Sequence, residues 1–496
     1  MMNDILLIHV PSMHKMSEGN IPFPLGLMYV GGILERLGKN VKIHDLYLYD
    51  FPYEDRWGYL MLKKIIEDFS PDVIGYGGIA MSYGWAKNLS IQVKKDYPGI
   101  IQIAGGALSS VYDLLLTKAA IDVVFHGEAE TNLPVFVDRF DSKKQWTDIP
   151  GISYFNNEIK RNQSVSQIEN MDDIPYPAYH LVEIEKYYLK RQELLDAYRG
   201  DMSDQGIYES ISKKLNGVNV LLPIVTARGC THRCSFCYRH MKGYRKHSVD
   251  YVIRHIKYVQ EEFGINGFAF RDELFNGDMK WVFELCDEID KNDLKIAYRT
   301  SARVDNISEK MLTRMYETGC FSLLYGQESG SDKILKEYKK GVTRKQNVEA
   351  TLLTRKVGIY STVQLVIGSP GETQQTIQES IDFIKEVGVR YYSLNYLIPL
   401  PESPVWHYVL EKKLINDVED YLEQVALRGG RHNVNLTQVS DKEWSNWSNL
   451  IDYKVKVHYA KSDGSYMECF KLFVIYYCRR TFPERIIEVL RAFLKK

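Results

Sequence analysis

Cysteine is scarce in this sequence and unevenly placed. Seven cysteines occur among 496 residues, and the first 229 residues contain none. An odd number of cysteines, three of which fall within one short stretch, does not fit a framework of paired disulfides. The sequence therefore predicts a protein of a reducing compartment, which we take to be the cytoplasm.

Long apolar runs are lacking as well. No stretch of about 18 or more apolar residues occurs, which is the length that a membrane-spanning helix needs. The residues after Met1 contain neither the basic region nor the cleavage site of a secretory signal. We therefore expect no transmembrane segment and no signal peptide.

An excess of charge of one sign is the third absence. The sequence has 63 Lys and Arg residues against 64 Asp and Glu residues, which gives a formal net charge of −1. We therefore expect no nucleic-acid partner, since only a local basic patch could hold one. The 35 tyrosines are interpreted mainly as core and groove lining. The length suffices for two or three domains, each with its own core.

The three clustered cysteines are the strongest chemical signal. Cys230, Cys234 and Cys237 have C-x₃-C-x₂-C spacing and follow the apolar run 220–225. Three thiolates on one tight loop can hold three irons of a [4Fe-4S] cluster, and they leave the fourth iron open to another ligand. A structural zinc site normally needs four ligands, often from two separated C-x₂-C pairs, and no second pair exists. The spacing favours the cluster, with zinc and chance as weaker alternatives.

The stretch 226–237 resembles the signature of the radical S-adenosylmethionine (SAM) superfamily, including Phe236 before the third cysteine. In that superfamily the open iron chelates the amino and carboxylate groups of SAM. An electron from the cluster then cleaves SAM to methionine and a 5′-deoxyadenosyl radical. The resemblance implies that Cys230, Cys234 and Cys237 bind the cluster and that Phe236 contacts SAM. It also implies an external electron donor such as flavodoxin or ferredoxin.

Residues 1–145 alternate short apolar runs with helical patterns. This alternation predicts an α/β domain with a doubly wound parallel sheet, whose loops gather at the carboxyl ends of the strands. Glycines follow three strands and either let a ligand approach the backbone or simply make tight turns. The predicted strands are 5–10, 41–45, 72–78, 100–106 and 123–128, and the glycines are Gly75, Gly77, Gly78, Gly105, Gly106 and Gly127.

These loops resemble the Rossmann-like cobalamin-binding domain that precedes the barrel in one large radical SAM class. The similar segments are 21–27, 105–106 and 127–130. No Asp-x-His-x-x-Gly motif, which ligates cobalt from below, occurs around His9 and His14, so we expect base-off cobalamin without a histidine ligand. The resemblance implies cobalamin contacts at Pro24, Leu25, Ser82, Gly105, Gly106, Gly127 and Glu128.

Residues 146–217 are interpreted as a linker. It begins with a hairpin strand at 151–155 that turns at Asn156 and Asn157, and it continues through a proline-stiffened segment at 172–177. The polar, tyrosine-rich stretch 183–217 is interpreted as an insertion. It is either a solvated helical excursion or a lid over a substrate channel.

Residues 218–400 repeat a strand and a helix six times, which predicts a partial (β/α)₆ barrel that is open on one side. Residues 401–496 are predicted to be mostly helical. The aromatic segment 470–482 is interpreted as a helix that covers the open side of the barrel, or else as a membrane-surface or partner helix. The predicted barrel strands are 219–225, 267–270, 295–298, 322–325, 362–367 and 391–395, and the helices are 249–263, 279–291, 308–318, 331–338, 344–357 and 373–387.

Four loops after these strands resemble SAM-contacting segments of the class. Active residues of such barrels lie at the carboxyl ends of strands. The resemblance implies that Glu273, in preference to Asp272, accepts hydrogen bonds from the SAM ammonium group. It also implies that Arg303 pairs with the SAM carboxylate, that Glu328 contacts the ribose, and that the turn 367–373 lies near the adenine and caps a helix. Any one of these residues alone would be read as a salt bridge or a cap.

The order of the two domains implies methyl transfer. In the resembling class methylcobalamin supplies the methyl group, one SAM remethylates cob(I)alamin, and a second SAM gives the radical that abstracts hydrogen from the substrate. We expect methylation of an unactivated carbon, while phosphorus or an aromatic carbon is also known as an acceptor in the class. The substrate, a small molecule, a lipid or a peptide, cannot be read from the sequence.

Three alternatives remain at this point. A cyclase or rearrangement enzyme of the same class would use the same cofactors without net methylation. A sensor or cobalamin carrier would be non-enzymatic, and Arg303 and Glu328 after barrel strands argue against it. Methylthiotransferases carry a second cysteine triad in their N-terminal domain, and residues 1–229 have no cysteine.

Overall fold

A computed structural model of the protein describes residues 4–12, 21–55, 57–140, 146–189, 193, 195, 205–239, 241, 243–428 and 434–481. His14, part of the stretch 183–217 and the end of the aromatic C-terminal segment lie outside the described residues.

The N-terminal part is a doubly wound parallel sheet, as predicted. Its strands run in the order β2-β1-β3-β4-β5, so the strand order reverses between β1 and β3. In such sheets ligands bind outside the carboxyl ends of the strands, near the point of reversal. The elements are β1 Asp4–His9, α1 Leu25–Arg36, β2 Asn40–Asp45, α2 Tyr59–Phe69, β3 Val73–Gly77, α3 Tyr83–Asp96, β4 Ile101–Gly105, α4 Tyr112–Thr117, β5 Val123–Phe125 and α5 Ala129–Arg139.

The predicted hairpin extends this sheet beyond residue 145. Strands β6 (Ile152–Asn156) and β7 (Glu158–Arg161) pair antiparallel, and Asn157 in the turn has φ +61°. Strand β6 also pairs antiparallel with β5. The hairpin is therefore the edge of the N-terminal sheet rather than part of a free linker.

The second sheet has six parallel strands in the order in which they occur along the chain. This is the arrangement of an open (β/α)₆ barrel, as predicted. A short antiparallel ribbon, β9 (Ala227–Arg228) and β10 (Arg245–Lys246), stands apart from the sheet. The other elements are β8 Leu222–Ile224, α7 Val249–Phe263, β11 Gly267–Phe270, α8 Met279–Lys291, β12 Ala297–Ala302, α9 Glu309–Glu317, β13 Cys320–Glu328, α10 Asp332–Glu337, α11 Arg344–Val357, β14 Val363–Ile367, α12 Gln374–Glu386 and β15 Tyr392–Tyr396.

The stretch 183–217 contains one helix of the described chain beyond a single turn, α6 (Gln205–Lys214). Its buried residues Ile207 and Ile211 pack with Ala297, Phe321 and Tyr360. Those three residues lie at the amino ends of barrel strands, opposite to the end where the functional loops gather. Helix α6 therefore closes the bottom of the barrel, and for this helix both the lid and the solvated excursion are wrong.

The C-terminal region is helical, as predicted. Helix α15 packs on α12 and β15 through the buried Trp444 and Trp447. Helix α16 packs on α15, where the Tyr476 ring stacks on Tyr453 at 4.4 Å. Phe470, on the outer face of this helix, is 62% exposed, so this face does not cover the barrel. The helices are α13 Pro404–Glu411, α14 Val418–Arg428, α15 Asp441–Ser462 and α16 Tyr466–Thr481.

A helix that spans a bilayer needs about 20 consecutive, predominantly apolar residues. Among the helices of the described part of the chain, none is both long and apolar enough to cross a membrane.

Candidate functional site

The three cysteines lie on a loop between the two strands of the short ribbon. Strand β9 leads into this loop and β10 leads out of it, with Arg228 opposite Arg245. Gly229 has φ +82°, a left-handed conformation that favours glycine and turns the chain into Cys230. Midway along the loop, the Ser235 N–H donates to the Tyr338 carbonyl at 2.9 Å. The ribbon and this bond hold the cysteine loop at the carboxyl end of the barrel.

The thiols differ in exposure. Cys234 is buried, Cys230 is half-buried and Cys237 is exposed as a residue. Desolvation raises the pKa of the Cys237 thiol to about 11 and also raises the pKa of Cys234. Such thiols become thiolates when a metal displaces the proton. In the described residues no three His, Cys, Asp or Glu side chains are grouped as the ligands of a single metal ion, whereas the thiolates of a [4Fe-4S] cluster each bind a different iron.

The two acids after β11 have different surroundings. Asp272 is buried, and its Oδ1 accepts hydrogen bonds from the N–H groups of Thr226 at 2.6 Å and Ala227 at 2.9 Å. Desolvation raises the pKa of Asp272 to about 6. Glu273 lines the cavity described below, and desolvation raises its pKa as well. Asp272 therefore shapes the entry to the cysteine loop, while Glu273 is the acid available to a ligand, as its predicted role requires.

Arg303 directly follows strand β12, and Glu328 is the last residue of strand β13. Arg303 donates from Nε and Nη2 to Asp305 at 2.9 and 2.7 Å, and Nη2 also donates to the Lys340 carbonyl at 2.8 Å. Glu328 Oε1 accepts from Lys340 Nζ at 2.9 Å. Within the described residues no partner reaches Arg303 Nη1 or Glu328 Oε2. Each predicted SAM residue thus keeps one polar atom for a ligand.

Phe236 lies beside the same group. Its ring meets the Tyr338 ring edge-on at 5.0 Å, and Lys340 Nζ lies 6.0 Å from its centroid. The structure therefore brings Phe236, Arg303 and Glu328 together around Lys340, a residue that the sequence analysis did not single out.

The turn after β14 is built by its own glutamate. Glu372 is buried, and its Oε2 accepts from the N–H groups of Gly368 and Ser369. Desolvation raises the pKa of Glu372 to about 7. Thr373 then caps α12 by accepting from the Thr376 N–H, so the predicted helix cap is confirmed.

A cavity of about 500 Å³ lies between the N-terminal sheet and the cysteine loop. Its walls come from the carboxyl ends of β1, β3, β4 and β5, from α1 and from the barrel residues before and after the cysteine loop. Six of the seven predicted cobalamin residues line it, namely Pro24, Leu25, Gly105, Gly106, Gly127 and Glu128. Ser82 does not, because it is fully buried and its hydroxyl donates to the Val10 carbonyl at 3.1 Å.

Glu128 makes a contact that the sequence did not reveal. Its carboxylate accepts from Arg228 at 3.0 Å, from Arg245 at 3.0 and 2.8 Å, and from the Ile168 N–H at 2.7 Å. Burial alone would raise the pKa of Glu128, but these hydrogen bonds lower it below its usual value. Glu128 therefore joins the N-terminal sheet to the ribbon of the cysteine loop, and its carboxylate is occupied by arginines.

His9 also lines the cavity. Its Nδ1 is hydrogen-bonded to Asp45 Oδ1 at 2.9 Å, and Asp45 Oδ2 accepts from the Tyr187 hydroxyl at 2.5 Å. The absence of a histidine ligand to cobalt stays a prediction.

The barrel sequence matches a known family. Residues 224–384 match the profile described as the Radical SAM superfamily. They are a radical SAM domain. The cysteine loop, Glu273, Arg303 and Glu328 all fall within this radical SAM domain.

Curated relatives are similar over most of the chain. An uncharacterized methyltransferase of Pyrococcus horikoshii is 28% identical over 83% of this chain and 84% of its own. An anaerobic magnesium-protoporphyrin IX monomethyl ester cyclase of Rubrivivax gelatinosus is 25% identical over 84% of this chain and 72% of its own. Proteins similar to this chain therefore include a named methyltransferase and a named cyclase.

Solved structures share the fold of both halves. The radical SAM methyltransferase TsrM of Kitasatospora setae, with cobalamin and a [4Fe-4S] cluster bound, has a TM-score of 0.64, 19% identity and coverage of 83% of this chain and 78% of its own. The cobalamin-dependent radical SAM enzyme OxsB, with aqua-cobalamin and SAM bound, has a TM-score of 0.67, 18% identity and coverage of 97% and 71%. The radical SAM domain and the N-terminal sheet thus have the fold of cobalamin-dependent radical SAM enzymes.

Proposed function

We propose that this protein is a cobalamin-dependent radical SAM methyltransferase that methylates an unactivated carbon. The observation that supports it best is the position of the cavity. One wall is the glycine-rich edge of the N-terminal sheet, and the facing wall contains Gly229, next to Cys230, and Glu273. A single space therefore adjoins the predicted cobalamin loops and the predicted cluster site.

The residues around the cavity fit base-off cobalamin, in which the nucleotide base is not bound to cobalt. Gly78, Gly105 and Gly106 present backbone rather than side chains at the strand ends, which leaves room for a broad flat ring. Below them the cavity extends between the sheet and helices α1 and α5, where the lining is apolar. This part suits the flat, apolar base of base-off cobalamin, and its lining includes Leu7, Leu27, Val30, Ile33, Ile103 and Leu133.

The barrel residues fit a cluster and SAM. The cysteine loop offers three thiols, and Glu273, Arg303 and Glu328 offer one carboxylate, one guanidinium and one further carboxylate around it. When bound, the cluster with SAM supplies a radical initiator and cobalamin supplies a methyl carrier. The protein's part is to orient these groups and to restrict water, which the partly enclosed position between two domains favours. The one-electron donor would be external, such as flavodoxin or ferredoxin.

A cyclase or rearrangement enzyme is the second candidate. The specific observation in its favour is the similarity to the Rubrivivax gelatinosus cyclase, which covers as much of this chain as the similarity to the Pyrococcus horikoshii methyltransferase. Both reactions would use the same cofactors, so the site residues do not separate them.

The test is anaerobic reconstitution of the cluster with hydroxocobalamin, followed by SAM and reductant. We expect one cobalt per chain and the absorption spectrum of an alkylated cobalamin, and methyl-labelled SAM should label a product. Bound cobalt and released deoxyadenosine without methylation would instead favour the cyclase. No bound cobalt would contradict the assignment of the N-terminal half.

A further inference from the structure

Lys340 is a buried lysine at the centre of the predicted SAM site. The residue is 8% exposed, while its neighbours Lys336 and Lys339 are exposed. Burying an ammonium group is costly unless it is paired and hydrogen-bonded. Lys340 meets this requirement through Glu328 Oε1, at 2.9 Å from Nζ.

Three of the predicted SAM residues do not line the cavity, and Lys340 contacts all three. Its Nζ binds Glu328, its carbonyl accepts from Arg303 Nη2 at 2.8 Å, and its Nζ lies 6.0 Å from the Phe236 ring centroid. Phe236, Arg303 and Glu328 come from three separate segments of the barrel. In the described residues, no other lysine or arginine contacts all three.

The backbone around the pair adopts conformations that side chains disfavour. Glu328 has φ +64° and Lys339 has φ +50°, and both lie in the left-handed region. Gly326 lies against the pair, since a Cβ added there would be 3.1 Å from Lys340 Nζ. Non-glycine residues hold such angles only when the surrounding structure fixes them, often at binding sites. The Lys340–Glu328 pair is therefore held in one arrangement.

The ammonium group faces the cysteine loop. Between Cys234 and Cys237, the Ser235 N–H donates to the Tyr338 carbonyl at 2.9 Å, and the Phe236 ring centroid lies 6.0 Å from Lys340 Nζ. A SAM molecule bound to the open iron of a cluster there would occupy the space beside these cysteines. Lys340 thus lies beside this loop and pairs with Glu328 Oε1, while Glu328 Oε2 stays without a partner among the described residues.

We propose that Lys340 is a positioning residue for SAM. Its ammonium group fixes the Glu328 carboxylate so that the second oxygen can accept a hydrogen bond from a ribose hydroxyl. Its carbonyl orients the Arg303 guanidinium for the SAM carboxylate. The proposal rests on the proposed function, because it assumes that SAM binds at this site.

The test compares five variants, one of them E328Q alone, with the wild type after anaerobic cluster reconstitution. K340M removes the charge and keeps most of the length of the side chain, and K340R keeps the charge. K339M removes the charge of the exposed neighbour and is the matched control. K340M/E328Q removes both charges of the buried pair, so it addresses any misfolding caused by an unpaired Glu328. Equilibrium dialysis with labelled SAM gives the Kd, and iron content reports the cluster.

We expect K340M to weaken SAM binding about 10- to 100-fold, as loss of a supporting partner typically does, with iron content unchanged. K340R should recover most of the affinity, K339M should bind as the wild type does, and K340M/E328Q should be no weaker than E328Q alone. Equal SAM affinity of K340M and the wild type, or equal losses in K340M and K339M, would overturn the assignment of Lys340. Failure of the wild type itself to bind SAM would overturn the proposed function together with this inference.

Discussion

Glu128 and Arg245 form a two-pronged ion pair between residues 117 positions apart in the chain. Arg245 Nη1 and Nη2 donate to the two carboxylate oxygens at 3.0 and 2.8 Å, and Arg228 adds a third bond at 3.0 Å. The pair joins the loop after β5 to the ribbon that holds the cysteine loop. Because reactions between two bound cofactors depend on their separation, this link sets a distance that matters for the proposed chemistry.

Removing the Glu128 carboxylate should destabilise the protein strongly. In E128A Arg245 would remain without a counter-charge, while Arg228 keeps Glu130 at 2.6 Å. Leaving one such charge unpaired in a buried site typically costs about 3–5 kcal/mol. E158A, which removes an exposed partner of Lys160, is the control and should have little effect. Thermal unfolding gives the melting temperatures of both variants. Similar melting temperatures would contradict a stabilising role of the Glu128 ion pairs.

The same pair gives a pH dependence. The pKa of Glu128 is lower when folded than when unfolded, so its stabilising contribution is present above the ordinary carboxyl pKa of about 4.3 and is lost as the pH falls through the folded value. We expect the melting-temperature difference between the wild type and E128Q to shrink on acidification below about pH 4.3. If the melting-temperature difference instead grew on acidification, the pKa of Glu128 would not be lowered in the folded protein.

Each of the three clustered cysteines should be needed for the cluster. C230A, C234A and C237A each leave one iron without its protein ligand, so iron and sulfide after reconstitution should fall to background. C469A, in α16, is the control and should retain the wild-type content because Cys469 lies far along the chain on a peripheral helix. Retained iron in any variant of the triad would contradict the assignment.

Local signals explain why several elements were predicted with the bounds that the structure shows. Helices 249–263 and 344–357 are two of these. Ser248 and Thr343 cap their first turns, and Gly264 and Gly358 end them with positive φ. Such signals lie within a few residues of the helix end and can be read from sequence.

The contacts that build the site could not be read in the same way. Lys340 is indistinguishable in sequence from the exposed Lys336 and Lys339, since burial depends on the fold. Arg245 meets Glu128 only because two domains meet. The position of α6 depends on the amino ends of strands formed later in the chain. Only the resemblance to known enzymes, rather than periodicity, indicated Arg303 and Glu328.

A side chain added at Gly105 should weaken cobalamin binding selectively. Gly105 lines the cavity, its backbone is extended with φ −164°, and an added Cβ would make ordinary contact with Phe125 Cβ at 3.4 Å. G105V should therefore fold. The added side chain would crowd the corrin as overpacking crowds a core, so the affinity for cobalamin should fall about tenfold or more. Cobalt and iron per chain are measured together.

The control for that variant is G99V. Gly99 is exposed, and nothing lies within 4 Å of an added Cβ. We expect wild-type cobalt and iron in G99V, and low cobalt with normal iron in G105V. Normal cobalt binding by G105V would argue against a corrin over this strand end.

Neutralising Glu372 should stabilise the protein at neutral and higher pH. Burial raises the pKa of Glu372 from 4.5 to about 7, so the folded protein favours the protonated form. Because the pKa of Glu372 is higher in the folded than in the unfolded protein, its contribution to folding stability is fully present below about pH 4.5. This contribution is lost as the pH rises through about 7. The loss is about 3 kcal/mol, since one pKa unit corresponds to about 1.4 kcal/mol. In E372Q this loss is absent, and the side-chain carbonyl can still accept from the Gly368 N–H.

Thermal unfolding of E372Q, the wild type and the exposed control E411Q between pH 5 and 8 checks this. The advantage of E372Q over the wild type should grow with pH and level off above about 7, whereas a constant or shrinking difference would mean that Glu372 is ionised in the folded protein throughout this range.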